Sequence, residues 1–184
     1  MSHSLEILRT LKILFFDSTN TGDGQASSLA QRMSSAIKRQ GVDLSGPFSA
    51  VSPEVMADLL RRHADANCVF LLAGAPEDLS SIPRLLSSTG VTRDDDASRP
   101  KLIAVYTSQS PQVPDTARAV GQHAPATIVV NSKRDMSPRE AIRFFAKFFG
   151  ELHTHCPDGI SVPMVRFCFA KASRLAPGKA EVWM

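Results

Sequence analysis

The residues of this chain that could do chemistry fall in a few short clusters. Tyr106-Thr107-Ser108-Gln109 follows Leu102–Val105, an apolar run that reads as a buried strand. In open α/β sheets, ligands sit beyond the carboxyl ends of the strands, so hydroxyls and an amide placed there face the usual reaction site. A serine nucleophile also needs a base within hydrogen-bond reach and a sharp turn to expose it. Nothing like G-x-S-x-G surrounds Ser108, and the histidines stand at positions 3, 63, 123, 153 and 155, away from the expected strand ends. Tyr106, Thr107 and Gln109 therefore read as binding rather than catalytic residues.

A second cluster is Asp17-Ser18-Thr19-Asn20-Thr21-Gly22-Asp23-Gly24, after the apolar run Leu11–Phe16. Glycines and hydroxyls ahead of a helix can cradle a phosphate through backbone amides and the helix dipole. Thr19, Thr21 and Gly22 resemble the T-x-T-G phosphate loop of flavodoxins, which would imply FMN or another phosphate-bearing ligand. Against this, Asp17 and Asp23 would repel a phosphate, and one Tyr and one Trp offer little for an aromatic sandwich. No bound cofactor is expected, and the flavodoxin-like binder stays as the alternative. The loop Leu72–Asp78 contains Gly74 but no histidine, cysteine or aromatic residue; Glu77 and Asp78 read as helix caps. His153-Thr154-His155-Cys156 alternates possible ligands, yet structural zinc takes four and no second cluster completes the set. That stretch reads as loop surface, with no metal.

These clusters hang on alternating apolar runs and amphipathic stretches. Strands are expected at Leu11–Phe16, Cys68–Ala73, Leu102–Val105 and Thr127–Val130, with a weaker one within Val42–Phe48. Helices are expected over Ala26–Gln40, from Ser52-Pro53-Glu54 along Val55, Leu59 and Leu60, over Leu79–Leu86 and Asp115–Gln122, from Ser137 through Leu152, and over Val162–Leu175. Ser137 and Glu140 carry capping-box spacing, and the phenylalanines that follow read as core. Short apolar strands separated by helices predict one three-layer α/β/α domain with a mainly parallel, doubly wound sheet. The 184 residues suit a single domain. The net charge of +3 is spread along the chain, so no nucleic-acid partner is expected. No apolar run approaches membrane-span length, the N-terminus lacks a secretory apolar region, and three unpatterned cysteines suit a reducing cytoplasm.

The later chain carries a resemblance. "HAPATIVVNSKRDMSPREAIRFFAKFFGEL", then "ISVPMVRFCFAKASRL" and a terminal "VWM", is similar to the end of a CHAT-type domain of the caspase-like cysteine proteases. The likeness covers the chain from Leu102 on. It implies a caspase-like fold in which two consecutive helices follow the fifth strand and a terminal strand follows them. That family uses a histidine after its third strand and a cysteine after its fourth. Overlaying those strands puts Ala75 at the histidine, beside the retained Gly74, and Ser108 at the cysteine. Without a base a serine hydroxyl is a poor nucleophile. The resemblance thus implies a catalytically inactive domain that binds or regulates another protein, a second copy of the chain being one candidate.

Overall fold

A computed structural model describes residues 11–19, 26–49, 52–63, 65–73, 102–107, 128–133, 135–156 and 159–183. The strands are β1 (Lys12–Asp17), β2 (Asp43–Ser49), β3 (Cys68–Ala73), β4 (Leu102–Thr107), β5 (Ile128–Ser132) and β6 (Ala180–Trp183). They form one sheet in the order β2-β1-β3-β4-β5-β6, parallel except for β6, which runs antiparallel to β5 at the edge. The described helices are α1 (Ser28–Lys38), α2 (Pro53–Arg62), α3 (Pro138–His155) and α4 (Val162–Ser173). The four strands with near-continuous apolar character are the internal ones, as a sheet buried on both faces requires. The expected helices at Leu79–Leu86 and Asp115–Gln122 lie outside the described residues.

Side-chain alternation sorts the core into two halves. Ile13 and Phe15, Cys68, Phe70 and Leu72, and Leu102, Ala104 and Tyr106 face α1, α3 and α4. Leu14, Phe16, Leu71, Ala73, Ile103 and Val105 face the other way, with Met56 and Ala57 of α2. The larger half is aromatic: Phe70 stacks on Phe15 at 4.6 Å and meets Phe145 at 4.7 Å and Phe149 at 5.4 Å between ring centroids.

Local chemistry sets the helix starts. Ser27, Ser52 and Ser137 each accept a backbone N–H of the first turn, from Ala30, Val55 and Glu140. At Ser137 the box is reciprocal, because the Glu140 carboxylate accepts from the Ser137 N–H at 2.9 Å. The structure corrects three expectations of detail. Val55 is half exposed, and α2 packs through Met56 and Ala57 together with the expected Leu59 and Leu60. The third helix does not stop at Leu152 but runs to His155, where Cys156 caps it by donating to the Leu152 carbonyl. The last helix ends at Ser173, short of Leu175.

The weak second strand is real but irregular. Ser45 pairs with Leu14 and Phe48 with Phe16, so β2 carries an extra residue around the cis peptide Gly46-Pro47. Gly46 has φ 105°, and a Cβ there would lie 2.4 Å from the Phe15 carbonyl oxygen. Only glycine lets the backbones approach so closely, and only an edge strand tolerates the missing proline donor.

Candidate functional site

The carboxyl ends of β1, β3 and β4 form one rim. Asp17 is in register with Leu72, and Ala73 with Thr107. Adjacent strands lie ~4.8 Å apart, so β3 and β4 end side by side. Of the expected site residues, Thr19, Tyr106 and Thr107 fall within the described residues. Thr21, Gly22, Gly74, Ala75, Ser108 and Gln109 lie outside them.

The Tyr106 side chain belongs to the core. It is 1% exposed, and its hydroxyl donates to the Met136 carbonyl at 3.1 Å, ahead of α3. Burial raises its pKa first, and the Glu140 charge adds to that. Position decides this: residues 102, 104 and 106 share the face turned to α3, and a run buried on both faces does not reveal its parity in hydropathy.

Asp17 organises what is described of the rim. Its side chain is 1% exposed. Oδ1 accepts from the Thr19 N–H at 3.0 Å and from the Thr19 hydroxyl at 2.5 Å. Oδ2 accepts from the Ser27 N–H at 2.7 Å, at the cap of α1. The carboxylate thereby clasps both ends of the β1–α1 connection. It also places a negative charge at the positive end of the α1 dipole, where a bound phosphate would sit. Ser18 fastens the same turn to β3: its N–H and hydroxyl both donate to the Leu72 carbonyl, at 2.9 and 3.0 Å. The sequence shows Asp17 as a repeller of phosphate. Its structural role has a local signal too, an Asp two residues ahead of a hydroxyl residue after a strand, the pattern of an Asx turn.

None of the three thiols is activated. Burial pushes the Cys68 thiol far up and the Cys156 thiol up; Cys168 is pushed up to about 12, by burial first and then by Cys156 and Glu151 nearby. Reactive cysteines show the opposite shift. The two histidines of the expected surface loop are helical and point to different neighbours. His155 Nε2 lies 3.1 Å from Glu151, while His153 stands near Gly41 with its Nδ1 buried and without a hydrogen-bond partner among the described residues. Among the described residues no three His, Cys, Asp or Glu side chains gather as metal ligands, and no helix is long and apolar enough to cross a membrane. A cavity of about 70 Å³ opens at the amino end of the sheet, lined by Lys12, Asp43, His63 and Asp65. The Lys12–Asp65 ion pair closes one side of it, far from the rim.

Glu151 ties α3 to α4. Its carboxylate meets Lys147 at 2.6 Å and Lys171 at 2.8 Å. The bonds to Lys147 and then Lys171 hold its pKa down at about 2. A lowered folded-state pKa stabilises the fold above the ordinary carboxylate range and loses that contribution as pH falls toward the folded value. Glu151→Gln is expected to lower the melting temperature by about 2–4 °C at pH 7, as ~1 kcal/mol predicts for a domain of this size. At pH 3 the gap should shrink by more than half. A gap that stays constant with pH would show that the charge contributes nothing.

No family model and no curated protein matches the chain. Among solved structures, it is similar to a de novo designed Rossmann 2x3 fold protein determined by solution NMR, at 11% identity. That alignment covers 82% of this chain and 94% of the designed one, with a TM-score of 0.45. The architecture itself, a mainly parallel sheet with helices on both faces, is a doubly wound α/β fold.

Proposed function

We propose that this chain is a catalytically inactive caspase-like domain of the CHAT type, acting as a protein-binding or regulatory module. One observation carries the reading: after β5 the chain runs through two consecutive helices, α3 and α4, into a terminal strand, β6. That is the order expected from the resemblance of the later sequence. The adjacency of β3 and β4 adds support, because Ala75 and Ser108 follow strands that end side by side. On this reading Ser108 occupies a vacated nucleophile position, and Ala75 supplies no base to activate it.

Two measurements test the proposal. Fluorogenic peptides of varied sequence should show no hydrolysis by the native chain above a blank. Activity that disappears in Ser108→Ala would make the serine a nucleophile and end the inactive reading. The correspondence of positions is tested separately by rebuilding it. The double variant Ala75→His with Ser108→Cys should react with iodoacetamide near pH 6.5 about 10-fold faster than Ser108→Cys alone, since a neighbouring imidazole favours the thiolate. The native thiols give little background, their pKa values all being raised. Equal rates for the two variants would reject the correspondence.

A further inference from the structure

The formal charge of +3 conceals a segregation. The segments that build the α1–α3–α4 layer, residues 26–42 and 136–180, hold ten Lys and Arg residues against three acids, Glu140, Glu151 and Asp158. Glu140 and Glu151 are already engaged: Lys179 lies 3.0 Å from Glu140, and Lys147 and Lys171 hold Glu151. Six arginines of the layer remain exposed, Arg32 and Arg39 on α1, Arg139 and Arg143 on α3, Arg166 on α4 and Arg174 at its end. None of them forms an ion pair among the described residues. Arg139, Arg143 and Lys147 recur every fourth residue, so they make one stripe along α3, the helix that α1 and α4 both pack against. In sequence these cations look scattered; packing of α1 against α3 collects them.

The same layer also exposes apolar surface. Phe167 is 46% and Val162 40% exposed, both on α4. Phe167 stands edge-on to His155 at 5.4 Å, and the Lys171 ammonium lies 4.7 Å over its ring. An exposed aromatic ring on a layer whose arginines form no ion pair among the described residues is the composition found where protein partners are anchored.

We propose that the α1–α3–α4 face docks an acidic segment of a partner protein, which seats an apolar side chain beside Phe167. Cations without an ion pair among the described residues call for carboxylates, and guanidinium groups match carboxylates with two parallel hydrogen bonds each. A nucleic-acid duplex fits less well. Its major groove admits a single free helix, and α3 is flanked by α1 and α4. A lipid surface fits less well too, because interfacial helices bury a continuous apolar face and this one offers two side chains. The proposed surface is the outer side of one helix layer, not the strand-end rim, and it stands whether or not Ser108 occupies an abandoned nucleophile position.

Fluorescence anisotropy on the full chain tests it. The probe is a fluorescein-labelled peptide of about 20 residues, long enough for helix formation, rich in Glu with Leu and Phe at helical spacing. Micromolar binding is expected at near-physiological salt. The double variant Arg143→Glu with Arg166→Glu should weaken it about 10-fold or more, charge reversal across an interface being costly. Phe167→Ala should weaken it about 5-fold through loss of the anchor. Arg61→Glu on α2, across the sheet, should leave it unchanged. If the double variant melts early, Arg143→Gln keeps the test open, with a loss of about 3-fold expected. No binding at about 100 µM peptide, a level at which unspecific contacts already register, would overturn the proposal. So would losses equal for Arg61→Glu and Arg143→Glu, or tighter binding to a labelled DNA duplex or to phosphatidylserine-containing vesicles.

Discussion

Phe70→Ala is expected to lower the unfolding free energy by about 3–5 kcal/mol, the cost of emptying a fully enclosed aromatic site. Phe70 is inaccessible to solvent at the middle of β3, with β1 and β4 on either side. Its ring touches Phe15 on the neighbouring strand and Phe145 and Phe149 on α3, so it joins sheet to helix layer. Removing it leaves a void bounded by other aromatic rings. Such rings are held by their own neighbours, Phe145 by Tyr106 and Phe144, and Phe149 by Phe148. The site therefore cannot collapse to refill the space. For a domain whose total stability falls in the usual range of about 5–15 kcal/mol, this single change is a large fraction. Urea unfolding measures it, with Phe167→Ala as the control. Phe167 is 46% exposed, and its loss should change stability by no more than about 0.5 kcal/mol. A cost below about 1 kcal/mol at Phe70 would mean that the aromatic cluster does not bind the layers together.

Much of this fold is legible in the sequence because the decisive signals are local. "LKILFF", "CVFLLA" and "LIAV" are apolar runs that only a doubly covered sheet can bury, and they lie in internal strands. The helix starts at Ser52-Pro53 and Ser137…Glu140 need only side chain and backbone within four residues, and they are observed. Features set by distant contacts are harder to read. The end of α3 is hidden because His153, Thr154 and His155 look polar, while the helix continues to its cap at Cys156. Tyr106 reads as a strand-end hydroxyl, yet parity turns it toward Met136. The basic layer depends on α1 and α3, separated by about a hundred residues of chain, lying side by side. No property of either segment alone announces that. Of the rim, the sequence points to Asp17 through its charge, and only the structure supplies the second partner, the Ser27 amide.

Asp17 carries the other large expectation, and here two substitutions separate charge from shape. Asp17→Ala is expected to cost about 2–3 kcal/mol, because N–H and O–H donors at the turn would lose a buried, charged acceptor. Three donors are involved: the Thr19 amide, the Thr19 hydroxyl and the Ser27 amide. Asp17→Asn keeps the volume but presents an NH2 group to one side, where it meets another donor. A carboxamide can accept on its oxygen alone, so either the Thr19 side or the Ser27 side must go unpaired. Asn should therefore recover less than half of the alanine loss. Full recovery by Asn would show that shape, not the paired acceptor oxygens, holds the loop. The same carboxylate bears on ligands. Because its Oδ2 takes the Ser27 amide at the start of α1, added inorganic phosphate at about 10 mM should leave the melting temperature of the native chain unmoved; a ligand bound to the folded state alone would raise it. A rise with phosphate that grows in Asp17→Asn would instead reveal an anion site that the native carboxylate only partly fills.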